Sequence, residues 1–424
     1  MSVVRVHPGP VFGTIRAPPS KSYTHRALVV GHLAHHGFAV RHPLDADDTR
    51  ATASAIRRLG SYVNHDGDVW RVGSPARGRR TSRVIVDCRE SGTTLRFVSA
   101  LAALSEEPVL LTGAKRLAER PIDELLRALT ALGARCRHLG GRGFPIEIRG
   151  PMRGGTVSLN ASQSSQFASA LFLALPTLDD DSSVELTGSI VSEPYLEATI
   201  AVLSNYGVRV MRKGRRFHVP GRQRVQGSSF TVPGDASSAS YLWAAALLSG
   251  GAVRVTGISS RWPQADLAVL GLLEATGASV TRQTNGAAVA SGPRKPFRVD
   301  LSDAPDLYPL AGVLAATAEG SSRIVGAGHV VEKESDRKSG TAMLARQMGA
   351  RVTVTSSGIA VEGRSRPRPL HLPSLTDHRM VMSAAVGALA ANGPSVVGSK
   401  EAVRKSFPGF WAALRTLSGG AEQS

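Results

Sequence analysis

Two cysteines, Cys88 and Cys136, stand in a chain of 424 residues. Without CxxC spacing they exclude a disulfide framework and a cysteine metal knuckle, and a reduced setting fits best. Cys88 reads as a small buried hydrophobe. Aromatic residues make up 5% of the chain, too few for the stacking platforms of single-strand nucleic-acid binders. No zinc-finger or RNP-type motif occurs. No apolar run reaches the ~18 residues of a membrane span, and the first residues lack the apolar stretch of a signal peptide. Acidic residues are in deficit, 33 against 51 Lys and Arg, for a formal charge of +18. That excess attracts polyanions or concentrates small anionic substrates. The densest basic run, Arg212-Lys213-Gly214-Arg215-Arg216, reads as a solvated hairpin tip. The expectation is a cytoplasmic monomer acting on small anions, with no membrane and no specific nucleic-acid partner.

What is present is a repeat. Apolar, Ala-rich helix bodies are expected at Ala27–Ala34, Leu95–Leu104, Phe167–Leu175, Ala239–Leu248, Leu310–Ala318 and Val381–Ala390. Each follows a polar or ionisable cluster, and they recur at intervals of roughly 70 residues. A helix apolar nearly all round belongs inside a core, and its positive N-terminal end suits anions. Six such ends facing one space would make an anion-binding cleft. Between these helices, amphipathic segments stop at Gly60, Gly133, Gly207, Gly277, Gly349 and Gly419, as helices ending on a left-handed glycine do. Turns such as Asp66-Gly67 and Asn285-Gly286 then predict strand hairpins.

The repeating unit is therefore strand, buried helix, strand, amphipathic helix, hairpin. Six units divide into two sets of three. The expected α/β architecture has one lobe at residues 17–227 and a second at 1–16 plus 228–424, joined by a two-segment hinge able to close over substrate. The sixth unit runs out of chain, and Val3–Ile15 is expected to supply its missing strands.

Candidate chemistry lies at the helix openings. Lys21, Ser22 and Arg26 flank one start, and Glu90-Ser91-Gly92-Thr93-Thr94-Leu95-Arg96 repeats the idea. Hydroxyls, N–H groups and cations together suit phosphate or carboxylate, and Gly92 permits close backbone approach. Arg120 precedes another helix, and Ser164-Ser165-Gln166 offers hydroxyls and an amide. The second half supplies the acids: Asp306, the run Lys333-Glu334-Ser335-Asp336-Arg337, Asp377-His378-Arg379, and then Lys405. Carboxylates beside cations are tuned for proton transfer.

In this order these segments, with Leu44–Thr49, Ser192–Tyr195 and Gly234–Tyr241, resemble the 5-enolpyruvylshikimate-3-phosphate synthase family of enolpyruvyl transferases. The resemblance implies two inside-out α/β barrels of three repeats each. It implies phosphoenolpyruvate held by Lys21, Gly92, Arg96, Arg120, Gln166, Arg337, Arg379 and Lys405. Shikimate 3-phosphate would lie against Lys21, Ser22, Arg26, Ser164, Ser165, Gln166, Ser192, Tyr195, Asp306 and Lys333. Asp306 would take the proton of the attacking 5-hydroxyl, Glu334 would protonate the methylene carbon, and Lys21 would assist. No cofactor or metal is implied. Pro233, Val331 and Phe97 depart from common family patterns. Two other functions compete: enolpyruvyl transfer to UDP-N-acetylglucosamine, against which the lack of cysteine in Leu111–Glu119 counts, and a retired, polyanion-binding relative.

Overall fold

The computed structural model describes residues 2–34, 36–73, 83–326 and 328–419. The chain divides into two compact units, one of Pro19–Val232 and one of Met1–Pro18 with Pro233–Ser424.

In the first unit the buried helices are Lys21–Leu33, Gly92–Ala102 and Gln166–Ala174; in the second they are Ala236–Ser249, Tyr308–Thr317 and His378–Ala388. Their bodies are buried almost all round, as apolar composition on every face requires. Trp243, Tyr241, Tyr308 and Phe167 are fully covered. The amphipathic helices, among them Asp47–Arg58, Asp123–Ala131 and Arg337–Gln347, stop before Gly60, Gly133 and Gly349, all with positive φ (109°, 99° and 91°). A residue with a Cβ is strained there, which is why glycine ends the helix.

Among the described residues the first five repeats build four-stranded sheets on one plan, and the sixth builds a three-stranded one. Val84–Asp87 runs parallel to Val109–Thr112, which pairs antiparallel with the hairpin of Ile146–Arg149 and Arg135–His138. Thr156–Asn160, Ser182–Thr187 and the hairpin Met211–Lys213/Arg216–Val219 repeat it. That hairpin carries the basic run, turning at Gly214 with its charges exposed, as expected.

The strands near the chain crossings are shared out differently from the expectation. Ser229–Thr231 runs parallel to Phe38–Arg41, completing the first repeat's sheet. Residues 228–232 therefore belong with Pro19–Val232, and the expected boundary at 227 falls too early. Phe12–Arg16 runs parallel to Ala252–Thr256 and leads the fourth repeat, not the sixth. Only Val3–Val6 serves the sixth, pairing antiparallel with Ser395–Gly398. A tight hairpin cannot supply a parallel partner, and the first and fourth repeats take theirs from a segment far along the chain. Among the described residues no helix is long and apolar enough to cross a membrane.

Candidate active site

The idea of six open helix ends requires correction. Ser91 Oγ accepts from the Thr94 N–H, Asp235 Oδ1 from Ser238 N–H, and Asp377 Oδ1 from Arg379 N–H. Three of the ends thus carry side-chain caps, which satisfy donors a substrate would otherwise meet. At the openings of Gly92–Ala102 and His378–Ala388 the positive charge comes chiefly from side chains.

In the unit Pro19–Val232, those side chains gather around the helix Gly92–Ala102. Arg96 donates from Nη1 to Gln166 Oε1 at 3.0 Å and from Nη2 to the Pro121 carbonyl at 2.7 Å. Its guanidinium lies 5.5 Å from the Phe167 ring centroid, close enough for a cation–π contribution. Gln166 in turn donates to Thr93 Oγ1 at 3.2 Å, and its backbone N–H donates to Ser164 Oγ. A Cβ built on Gly92 would stand 2.5 Å from Arg96 Nη1 and 2.7 Å from Arg120 Nη1. Both guanidinium ends therefore converge over this glycine, and a side chain there would require them to shift.

Arg26 is buried in a second cluster. It donates to the Ser22 carbonyl at 2.9 Å, the Tyr195 carbonyl at 2.8 Å and Thr199 Oγ1 at 2.8 Å. Phe97, one of the departures from common family patterns, places its ring centroid 5.6 Å from that guanidinium. Burial lowers Arg26 to about 10, which leaves it charged at neutral pH. Ser192 holds φ at 56° and accepts from Tyr195 N–H through its carbonyl. A non-glycine residue in that region is held there by its surroundings and marks a candidate functional position. Ser165 is buried at the start of the helix Gln166–Ala174.

Lys21 Nζ lies 3.1 Å from Asp48 Oδ2, a carboxylate that sequence reasoning left without a role. Behind them runs a chain of side chains. His25 Nδ1 meets Thr52 Oγ1 at 2.7 Å, Thr52 meets Thr94 at 2.7 Å, and Thr94 donates to Ser91 at 2.8 Å. This chain ties three helices together under Lys21 and Gly92. Burial pushes His25 down to about 3, so it is neutral. Burial also drives the Cys88 thiol well above its usual range, consistent with an inert core residue.

The second unit holds a different cluster. Arg337, 1% exposed, uses all three nitrogens on carboxylates. Nε donates to Asp377 Oδ2 at 2.8 Å, Nη1 to Asp306 Oδ1 at 2.7 Å, and Nη2 to Glu334 Oε2 at 2.8 Å. Arg379 Nη2 donates to Asp306 Oδ2 at 2.6 Å. Burial works against ionised Asp306, but Arg379, Arg337 and Lys333 outweigh it and hold the carboxyl far below the usual range. Burial likewise opposes the charge on Arg337, and Asp377, Glu334 and Asp306 overcome it, raising the guanidinium above its ordinary value. In the sequence Asp377 stands among the acids of the second half, at a helix opening. Here it caps the helix His378–Ala388 and anchors Arg337, and its carboxyl is held low. Lys405 is buried at the end of the turn Lys400–Lys405, which packs on that helix. Asp306, Glu334 and Asp377, with Arg379 joined through Asp306, thus assemble around one arginine that spacing alone could not single out.

This α/β chain, with six small sheets among its described residues and cationic clusters at several buried-helix openings, matches solved enolpyruvyl transferases over almost its whole length. It overlays EPSP synthase from Acinetobacter baumannii with a TM-score of 0.81 at 24% identity, covering 98% of each chain. It overlays the enolpyruvyl transferase NikO from Streptomyces tendae with a TM-score of 0.79 at 16% identity, covering 98% of this chain and 97% of that one. At such identities the likeness establishes the fold, the two-domain inside-out barrel type.

Sequence comparison narrows this further. The model of the family "EPSP synthase (3-phosphoshikimate 1-carboxyvinyltransferase)" matches residues 6–414. A 3-phosphoshikimate 1-carboxyvinyltransferase of Methanoculleus marisnigri is 40% identical over 420 residues, 97% of this chain and 98% of that protein. One from Thermococcus kodakarensis is 41% identical over 410 residues, 96% of this chain and 98% of that protein. The chain belongs to the EPSP synthase family.

Proposed function

We propose that the chain is a 3-phosphoshikimate 1-carboxyvinyltransferase of the shikimate pathway. It transfers the enolpyruvyl group of phosphoenolpyruvate to the 5-hydroxyl of shikimate 3-phosphate and releases phosphate. Both substrates carry phosphate and carboxylate groups, which the excess of Lys and Arg attracts. The observation that carries the assignment of roles is the cluster Asp306–Arg337–Glu334–Arg379, which sets two carboxylates against two guanidiniums.

The chemistry divides between the units. Pro19–Val232 supplies fixed cations and hydroxyls: Lys21, Gly92, Arg96, Arg120 and Gln166 for phosphoenolpyruvate, and Ser22, Arg26, Ser164, Ser165, Ser192 and Tyr195 for shikimate 3-phosphate. Lys21 and Gln166 serve both substrates. The other unit supplies proton transfer. Asp306 accepts the hydroxyl proton as that oxygen bonds to C2 of phosphoenolpyruvate. Glu334 delivers a proton to C3, giving a tetrahedral intermediate. The C3 proton then leaves, the C2–C3 double bond re-forms, and the C2–O bond breaks to expel phosphate. Arg337, Arg379 and Lys405 hold the phosphoenolpyruvate anion, and Lys333 lies beside shikimate 3-phosphate. Preorganised cations stabilise charge that grows in the transition state at little reorganisation cost. A monomer in the cytoplasm completes the reading, in keeping with two unpaired cysteines.

The test is phosphate release from phosphoenolpyruvate with each candidate acceptor. Release dependent on shikimate 3-phosphate is the expected result. Release only with UDP-N-acetylglucosamine would move the chain to the sister activity, and silence with both would remove the proposal. The relatives' shared name and the absence of cysteine from Leu111–Glu119 favour the first outcome.

A further inference from the structure

One carboxylate spans both guanidiniums that the preceding reading gives to phosphoenolpyruvate. Asp306 Oδ1 accepts from Arg337 at 2.7 Å and Oδ2 from Arg379 at 2.6 Å. Two cations bridged by the two oxygens of a single carboxylate form a seat dimensioned for a carboxylate. Arg337 is 1% exposed, and each of its three nitrogens donates to an acid, so an incoming anion reaches the guanidinium only if a group that now covers it moves. Of its three partners, Asp377 is completely covered and caps a helix. Glu334 is 13% exposed. Asp306 is the most accessible at 23%, on the short turn Pro305–Leu307.

We propose that Asp306 is the internal occupant of a carboxylate seat made by Arg337 and Arg379, and that the carboxylate of phosphoenolpyruvate displaces it from that seat. Asp306 becomes an effective base only once the substrate has taken its place. The inference rests on the roles assigned above and adds a control on them. The groups whose charge acts on Asp306 are Arg379, Arg337, Lys333 and Glu334, and the Tyr241 phenol feels the same cluster. With the cations engaged, Asp306 binds a proton too weakly to draw one from a hydroxyl. Once a second carboxylate draws the guanidiniums off, its proton affinity rises. The exchange replaces one carboxylate by another, so neither arginine is left without an anionic partner.

The experiment is calorimetric titration of the full chain, as wild type, Asp306→Asn and Glu334→Gln, with phosphoenolpyruvate and with inorganic phosphate. Asparagine keeps the volume of Asp306 but surrenders the charge that competes with substrate. Asp306→Asn should bind phosphoenolpyruvate about tenfold more tightly than wild type, the scale of a lost charge-assisted bond, while its turnover collapses. Inorganic phosphate has no carboxylate and should gain far less in the same variant. Glu334→Gln, which frees a single bond on Arg337, should gain far less than Asp306→Asn. Unchanged or weaker phosphoenolpyruvate binding by folded Asp306→Asn overturns the inference. So do equal gains for the two ligands or the two variants, because a general increase in positive charge predicts those.

Should Asp306→Asn fail to fold, carbon-13 titration of aspartate-labelled wild type decides the matter, with the resonance assigned by its loss in Asp306→Glu. Saturating phosphoenolpyruvate should raise the proton affinity of Asp306 at least about tenfold, and no rise overturns the inference. Failure of the functional reading looks different: the wild type then releases no phosphate with shikimate 3-phosphate. Failure of this inference alone leaves wild-type turnover intact.

Discussion

Buried arginines are held in contrasting ways in the two units. In Pro19–Val232, Arg26 and Arg96 donate to carbonyl, amide and hydroxyl oxygens and lie against Phe97 and Phe167. In the other unit, Arg337 and Arg379 donate to carboxylates. Neutral acceptors fix a guanidinium without cancelling its charge, so the charge remains available to an incoming dianion. Carboxylate acceptors cancel the charge and bring titratable oxygens to the same point. One arrangement suits holding a substrate, and the other suits moving protons. Lys21 with Asp48 departs from this in the first unit, a cation already paired with an acid.

The comparison breaks most violently at Arg337. Arg337→Ala leaves Asp306, Glu334 and Asp377 without their shared cation. Removing one partner of a buried pair costs about 3–5 kcal/mol, and equilibrium denaturation in urea should register a loss of that size. A cost below about 1 kcal/mol would mean that the hub does not hold the unit together. Next in size is chemistry. Asp306→Asn and Glu334→Gln should each lower kcat by roughly 10²–10⁴ with folding retained. Steady-state kinetics that show turnover near wild type for either variant would remove that residue from proton transfer.

Acid should separate the units by a different route. His25 is buried and neutral, with its folded pKa pushed down to about 3 from an ordinary 6.5. The unfolded chain therefore takes up a proton first as pH falls. The stability tied to neutral His25 is intact above about pH 6.5 and is lost as pH drops towards 3. Linkage gives about 2 kcal/mol lost at pH 5 relative to pH 7. Asp306, held far below its ordinary value, works in a lower window: its contribution is present above the usual carboxylate range and disappears only as pH falls below it. The urea midpoint should thus fall from pH 7 to pH 5 in the wild type and fall less in His25→Gln. Equal pH sensitivity in the two proteins would show that His25 does not carry the effect.

The smallest expected effect sharpens the neutral-acceptor side. Gly92→Ala would push a methyl group into Arg96 and Arg120, and the KM for phosphoenolpyruvate should rise about tenfold, the factor that 1.4 kcal/mol represents. kcat should fall less, since the proton-transfer groups lie in the other unit. An unchanged KM would mean that these guanidiniums move aside freely and are not preorganised.

Local features carried much of this into the sequence. Glycine at 60, 133, 207, 277, 349 and 419 marks helix ends because only glycine takes the left-handed conformation without strain, and all six have positive φ. The buried helices were legible because a segment apolar on every face has nowhere to go but the core. The candidate cations and acids were legible because charged residues at the opening of an apolar helix need a reason to be there. The chain alone thus determined the repeat, the buried helices and an inventory of reactive groups.

Tertiary structure decided which group meets which. Phe12–Arg16 leads the fourth repeat and Ser229–Thr231 leads the first, each at a separation of about 190 residues or more from its partner strand. Asp48 and Asp377 became structural partners of Lys21 and Arg337 only through pairings 27 and 40 residues apart. Hydrogen bonds and ion pairs act over a few ångströms of space, whereas a sequence orders residues along a line. Composition and periodicity therefore told what is buried and what is charged, and only the folded chain could set a single arginine among three acids.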